Sequence, residues 1–171
     1  MAGVSFEALL RSALRQDPDI LFLGEVRDGY SAKTAVDFAS TGHLTLSTMH
    51  TNNATSAIFR LERLGVDRGA MGEALVGVVA QRLVRRLCPS CKKVGPPSPE
   101  DIDLLSPYTD VIPEKVANPV GCEKCHETGY WSREGVYEVM RFPPEIREDI
   151  RNGKSITQLR IEVQDHGEYL A

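Results

Sequence analysis

The chain has 171 residues, with 20 Lys plus Arg against 24 Asp plus Glu, a formal net charge of −4. At 42% hydrophobic and 26% charged it has the make-up of a globular chain that can bury a core, which excludes a disordered or collagen-like polymer. The acidic balance speaks against a dedicated nucleic-acid binder, no stretch reaches the roughly 18 apolar residues of a bilayer span, and Met1–Phe6 lacks the basic and apolar regions of a signal peptide. The chain therefore reads as cytoplasmic.

Phe6, Leu9, Leu10, Ala13 and Leu14 recur at helical spacing, so a helix over Phe6–Gln16 is expected, capped by Ser5 and stopped by Asp17-Pro18. Ile20-Leu21-Phe22-Leu23 is a short all-apolar run that suits a strand buried on both faces, and it ends in the polar cluster Gly24-Glu25-Val26-Arg27-Asp28. A helix over Ser31–Thr41 closed by Gly42, a strand over His43–Met49, and a helix over Ala54–Leu64 capped from Thr51-Asn52-Asn53 and closed by Gly65 follow. Strand and helix alternating with short connections is the pattern of a parallel sheet covered by helices, an α/β fold. Gly69–Leu87 reads as one more helix, burying Ala74, Leu75, Val78, Val79, Leu83 and Leu87, with Arg82, Arg85 and Arg86 at the negative end of its dipole.

Composition changes after Cys88. Pro96, Pro97, Pro99, Pro107, Pro113 and Pro119 make this segment largely loop, with one short helix near Pro99–Leu105. A hairpin or strand is expected around Gly135–Met140, then helices over Pro144–Arg151 and from Ser155 to about Asp165. Three parts result: 1–87, 88–140 and a helical region over 141–171.

Cys88-Pro-Ser-Cys91 and Cys122-Glu-Lys-Cys125 are two knuckles, each presenting two thiolates on one side of a tight turn. Together they complete a tetrahedral four-sulfur site, coordinatively closed and hence structural, with zinc as its metal. Cys122-Glu-Lys-Cys125-His126 also spells a c-type haem attachment motif, but that would leave Cys88 and Cys91 without a role. His126 is then a neighbour of the site and not a ligand. A loop-rich segment with little core has a use for such a metal, because binding supplies folding energy.

Glu25 would stand at the carboxyl end of a parallel strand, where open α/β sheets bind ligands, and could there orient a water for attack on a phosphate. The bland alternative is that Glu25, Arg27 and Asp28 form a solvated loop with an ordinary ion pair. His50 follows the second strand on the same edge as Glu25, whereas His43 precedes it, and a rise of roughly 3.3 Å per residue keeps the two histidines apart. Gly153-Lys154-Ser155 matches the end of a phosphate-loop motif, but Glu148 stands at its first glycine position and the preceding residues read as helix, so Gly153 should end one helix and Ser155 cap the next.

Leu14-Arg15-Gln16-Asp17-Pro18-Asp19-Ile20, Gly24-Glu25-Val26-Arg27-Asp28, Thr41-Gly42-His43-Leu44 through Ser47-Thr48-Met49-His50-Thr51-Asn52, and Ala80-Gln81-Arg82-Leu83-Val84-Arg85-Arg86-Leu87-Cys88-Pro89 closely resemble the secretion ATPases of type II secretion and type IV pilus assembly, over about Phe6–Gly167. The resemblance implies the C-terminal part of a RecA-like ATPase domain that works as a homo-hexamer on ATP and magnesium. It makes Leu21–Glu25 the Walker B strand with Glu25 the catalytic glutamate, and Thr41–Asn52 the histidine box, to which His43 and His50 both belong. Cys88, Cys91, Cys122 and Cys125 match the zinc element of the assembly and secretion branches, which argues against a retraction role. The family's Walker A loop and Asp box lie upstream of the Walker B strand, so the chain is expected to be truncated at both ends, with Met1-Ala2 a new start, and to be inactive alone. The rival expectation is a zinc-stabilised module that docks on the inner-membrane platform protein, or on a neighbouring subunit, without chemistry.

Overall fold

The computed structural model describes residues 3–165 and 169–170; Met1-Ala2 and His166-Gly167 lie outside them. The chain forms two compact units, one from the residues up to Gln81 together with those from Tyr137 onward, the other Arg82–Val136.

In the first unit, α1 (Phe6–Leu14) starts where the Ser5 hydroxyl accepts the Ala8 N–H at 3.2 Å. β1 (Ile20–Leu23) and β2 (Leu44–Ser47) pair in parallel, Ile20 opposite Leu44 and Leu23 opposite Ser47, and α2 (Gly29–Ser40) makes the crossover. Parallel strands need such a crossover, and Gly42, at φ +95°, turns the chain from α2 into β2. α3 (Thr55–Arg63) begins where the Asn53 side-chain oxygen accepts the Ser56 N–H at 2.9 Å, and α4 (Arg68–Ala74) begins at Asp67, whose carboxylate accepts the Gly69 and Ala70 N–H groups. α6 (Pro144–Arg151) and α7 (Ile156–Asp165) complete the helices. Leu21, Leu23, Ala32, Val36, Ile58, Leu61, Met71, Met140, Phe142, Ile146, Ile150, Leu159 and Val163 form one buried cluster.

Two expectations fail here. β1 is not buried on both faces: Leu21 and Leu23 face the core, while Ile20 and Phe22 are 57% and 70% exposed, because nothing among the described residues covers that side of the two-stranded sheet. The helix over Gly69–Leu87 does not exist as one element. α4 ends at Ala74 and β3 runs over Gly77–Leu87, with half-buried Val78 and Ala80 alternating with exposed Val79 and Gln81. Val76, Val78, Val79 and Val84 are β-branched and stiff at χ1, which favours the extended chain, and the same residues satisfy a helical template by coincidence of spacing. Arg82, Arg85 and Arg86 therefore lie on a strand, away from any helix end.

β3 is hydrogen-bonded beside β6 (Tyr130–Arg141), which in turn pairs with β7 (Tyr169–Leu170) through Val139 opposite Leu170. In the second unit β4 (Lys93–Gly95) and β5 (Val116–Asn118) pair antiparallel, and α5 (Pro99–Leu105) is capped by Ser98. None of α5 is buried, and Cys88 and Cys125 are the only buried apolar side chains described in this unit.

Gly72 marks a close approach of α4 to α6: a Cβ there would stand 2.7 Å from the Arg147 carbonyl oxygen and 2.5 Å from Arg151 Cγ. Helix propensity favours alanine by about 1 kcal/mol. The overlap with a backbone atom should reverse that sign, so Gly72→Ala is expected to lower unfolding free energy in urea by about 1–3 kcal/mol.

Candidate functional site

Glu25 follows β1, and its position is fixed from β2. The Ser47 hydroxyl donates to the Leu23 carbonyl at 2.7 Å, the Thr48 hydroxyl donates to the Gly24 carbonyl at 2.7 Å, and the Val26 N–H donates to the Thr48 carbonyl at 2.9 Å. These bonds carry the parallel pairing past the last strand residue, so the Glu25 backbone is held and not left to a free loop. One carboxylate oxygen, Oε2, accepts from Arg27 Nε at 2.7 Å, and the other, Oε1, lies 3.2 Å from His50 Nε2. Glu25 is 23% exposed, whereas His50 and Arg27 are 92% and 77% exposed, so the glutamate is the inner member of the trio.

Beside it opens a cavity of about 540 Å³ lined by Phe6, Gly24, Glu25, Arg27, Asp28 and Ser31. Asp28 caps α2: its carboxylate accepts the Ser31 N–H at 2.8 Å, while the Ser31 hydroxyl lies within reach of the Asp28 N–H and carboxylate. That hydrogen bonding holds the Asp28 carboxyl below its ordinary range. The three-residue step from Asp28 to Ser31 is a capping-box spacing and was the available signal for this role.

The structure brings Glu25 and His50 together and leaves His43 elsewhere. His43 stacks on Phe38 with ring centroids 4.3 Å apart, and its Nδ1 lies 2.9 Å from the Thr41 hydroxyl. That hydroxyl donates its one proton to the Phe38 carbonyl at 2.7 Å, so Nδ1 of His43 carries the hydrogen and donates. Lys154 of the phosphate-loop decoy is paired with Asp149 and Glu162 at 2.9 and 3.0 Å, Gly153 turns at φ +76°, and Ser155 caps the next helix by accepting the Gln158 N–H.

The second site is the four cysteines. Their Sγ atoms all lie within 4.8 Å of one another, with Cys88 to Cys122 at 4.0 Å, Cys91 to Cys125 at 3.8 Å and Cys122 to Cys125 at 3.7 Å. A tetrahedral metal with bonds of about 2.3 Å separates its sulfurs by roughly 3.8 Å, so the donor set fits a four-thiolate ion. His126 is exposed, in the left-handed region at φ 52°, and outside this cluster. The knuckles are tied together by the Cys88 N–H donating to the Gly129 carbonyl at 2.9 Å, and Gly129 in turn donates its N–H to Cys125 Sγ at 3.2 Å. Gly129 has φ +75°, and a Cβ there would meet Pro119 at 2.6 Å, so only glycine fits. Burial works against the Cys125 thiolate, but hydrogen bonds from Cys122 and Gly129 and the neighbouring thiols pull its pKa down to about 6. Burial pushes Cys91 up to about 11, so protons are unevenly shared across the set until a cation displaces them.

Matched against known families, residues 1–170 fit the Type II/IV secretion system protein family. The chain belongs to that family. It is 43% identical over 160 residues to the type IV pilus assembly ATPase PilB of Thermus thermophilus, covering 93% of this chain and 18% of the relative. It is 41% identical over 155 residues to the type II secretion system protein E of Dickeya dadantii, covering 89% and 30%. Among solved structures, the pilus retraction motor PilT with bound ADP superposes with a TM-score of 0.60 at 28% identity, covering 94% of this chain and 36% of PilT. The α/β fold is thus that of the RecA-like secretion ATPases, with four cysteines placed to hold a metal. The chain spans less than a third of the length of the relatives that match it first, from 18% to 29%. No helix among the described residues is long and apolar enough to cross a membrane.

With so few buried side chains of its own, the second unit should depend on its metal. Chelation, or Cys88→Ser, is expected to abolish amide hydrogen-exchange protection in Arg82–Val136 and leave that of the first unit's core largely intact. Acidification should act in the same direction, because protons compete with the metal for the four thiolates.

Proposed function

We propose that this chain is the distal portion of a secretion motor ATPase, driving type IV pilus assembly or type II protein secretion, with Glu25 polarising the water that attacks the γ-phosphate of ATP. The supporting observation is the Glu25 carboxylate held between Arg27 and His50 at the carboxyl end of β1, at the wall of a cavity of about 540 Å³. A carboxylate tied on one oxygen by Arg27 keeps one orientation, which is what positioning a nucleophilic water requires. His50 contributes by standing 3.2 Å from the second oxygen of Glu25 at the edge of the site. His43 acts at a distance, packing α2 against the start of β2 through Phe38.

In the intact motor we take the assembly to be a homo-hexamer that uses ATP with magnesium, works in the cytoplasm and meets the inner membrane through a platform protein, as the family likeness implies. Zinc is the ion we assign to Cys88, Cys91, Cys122 and Cys125; it supplies folding energy and a rigid scaffold, and no chemistry. A docking role for the metal-bearing unit is favoured by Leu104, Tyr108 and Val111, which stand 69%, 85% and 79% exposed there.

The 171 residues contain no glycine-rich loop with a lysine to cradle the β- and γ-phosphates. The chain alone should release phosphate from Mg-ATP at the background rate. Joined to a phosphate-loop segment from a relative it should turn over, and Glu25→Gln in that joined protein should cut kcat by about 10²–10⁴ with little change in nucleotide affinity. Undiminished turnover by the Gln variant would sink the assignment.

A further inference from the structure

Two stretches of the second unit each carry charge of one sign. Arg82, Arg85, Arg86, Lys92 and Lys93 follow one another with no acidic residue between them, and Glu100, Asp101, Asp103, Asp110 and Glu114 follow with no basic one. Both segments also expose apolar side chains: Leu83 at 60% and Val94 at 62% in and beside the first, Leu104 at 69% and Tyr108 at 85% in the second. In the basic segment Arg86 reaches Glu134 at 3.4 Å and Arg85 lies over the Tyr130 ring at 3.9 Å, while Lys92 and Lys93 are exposed and make no ion pair among the described residues. In the acidic segment Asp101 turns back to Ser98, and Glu100, Asp103, Asp110 and Glu114 are exposed without an ion pair among the described residues.

We infer that the acidic, apolar segment Glu100–Glu114 of one chain docks on the basic segment Arg82–Lys93 of a second copy. The inference rests on the docking reading of this unit and is independent of the ATPase reading. Each segment alone gathers like charges and exposed carbon, which costs free energy in the isolated molecule. Each is the complement of the other in both respects, so the surface that relieves one is carried by the same chain. Contact between two different patches is head-to-tail, and such an interface passes from copy to copy instead of closing on a two-fold axis. Its core would be the exposed Leu104 and Tyr108, its rim the charges, which set orientation and encounter rate more than strength.

The test is sedimentation velocity on the zinc-loaded full chain as a function of concentration and salt. Self-association is expected at low ionic strength, weakening about tenfold or more as salt rises toward molar and the charges are screened. Asp103→Lys with Asp110→Lys, and separately Lys92→Glu with Lys93→Glu, should each give a monomer, with association weakened at least about a hundredfold by like-charge contact. All four side chains are exposed, and zinc content checks that the knuckles survive. An equimolar mixture of the two variants should associate again, because each supplies the charge the other has lost. A wild-type chain that stays monomeric at low salt, charge-reversed chains that associate as well as the wild type, or a mixture that fails to recover would each overturn the inference. In the first case, shifts of the Leu104, Tyr108 and Val111 amides on adding a basic amphipathic peptide would leave docking standing with a different occupant.

Discussion

Two hydroxyl groups at the end of β2 hold the Glu25 edge together. A parallel pair of four-residue strands is short, and its ladder would leave the carbonyls of Leu23 and Gly24 unpaired where the chain turns away. Ser47 and Thr48 donate to those two carbonyls, and the Val26 N–H closes back on Thr48, so pairing extends across the turn on which Glu25 sits. Three consequences follow: the glutamate backbone has one position, His50 leaves β2 on the same edge within 3.2 Å of the carboxylate, and Asp28 falls where it can begin α2. Hydroxyl side chains suit this task because they reach a strand-end carbonyl without breaking the strand direction.

The two units solve the problem of cohesion in different ways. The first buries a cluster of Leu, Ile, Val, Met and Phe from α1 through α7. The second has two buried cysteines, short strands and a helix with nothing buried, and in place of a hydrophobic core it has four cysteines placed to hold one metal ion. An ion held there would do the folding work locally, leaving the remaining surface free to carry side chains that a core would otherwise claim. That is why Leu104, Tyr108 and Val111 can stand in solvent beside a run of carboxylates.

Much of this was legible in the residues. Ser5, Gly42, Gly65 and Gly153 act as the caps and terminators that their chemistry demands, and the cysteine spacing led directly to four sulfurs at tetrahedral separations. The placement of Glu25 with His50, and of His43 apart from both, follows from counting residues along one strand. What misled was periodicity read without propensity: Ala74, Leu75, Val78, Val79, Leu83 and Leu87 fit a helix by spacing, yet the valines favour a strand and Gly77 weakens a helix, and the chain is extended there. The all-apolar β1 also suggested two covered faces, when apolar character reports only that a face can be covered. Arg27 and Asp28 read as a solvated loop because their partners, one two residues back and one three residues on, are set by backbone geometry that spacing alone does not reveal.

If strand-end hydroxyls organise the site, loosening one should cost activity without costing the fold. The direct measurement is the phosphate-release rate of the chain joined to a phosphate-loop segment, with Thr48 intact and with Thr48→Val, alongside the melting temperature of each. The account predicts a kcat lower by about tenfold or more with nucleotide affinity unchanged, since on the proposed role of Glu25 its displacement would misplace the attacking water. Equal rates at equal stability would contradict it, and would mean that Glu25 is positioned by something other than the end of β2.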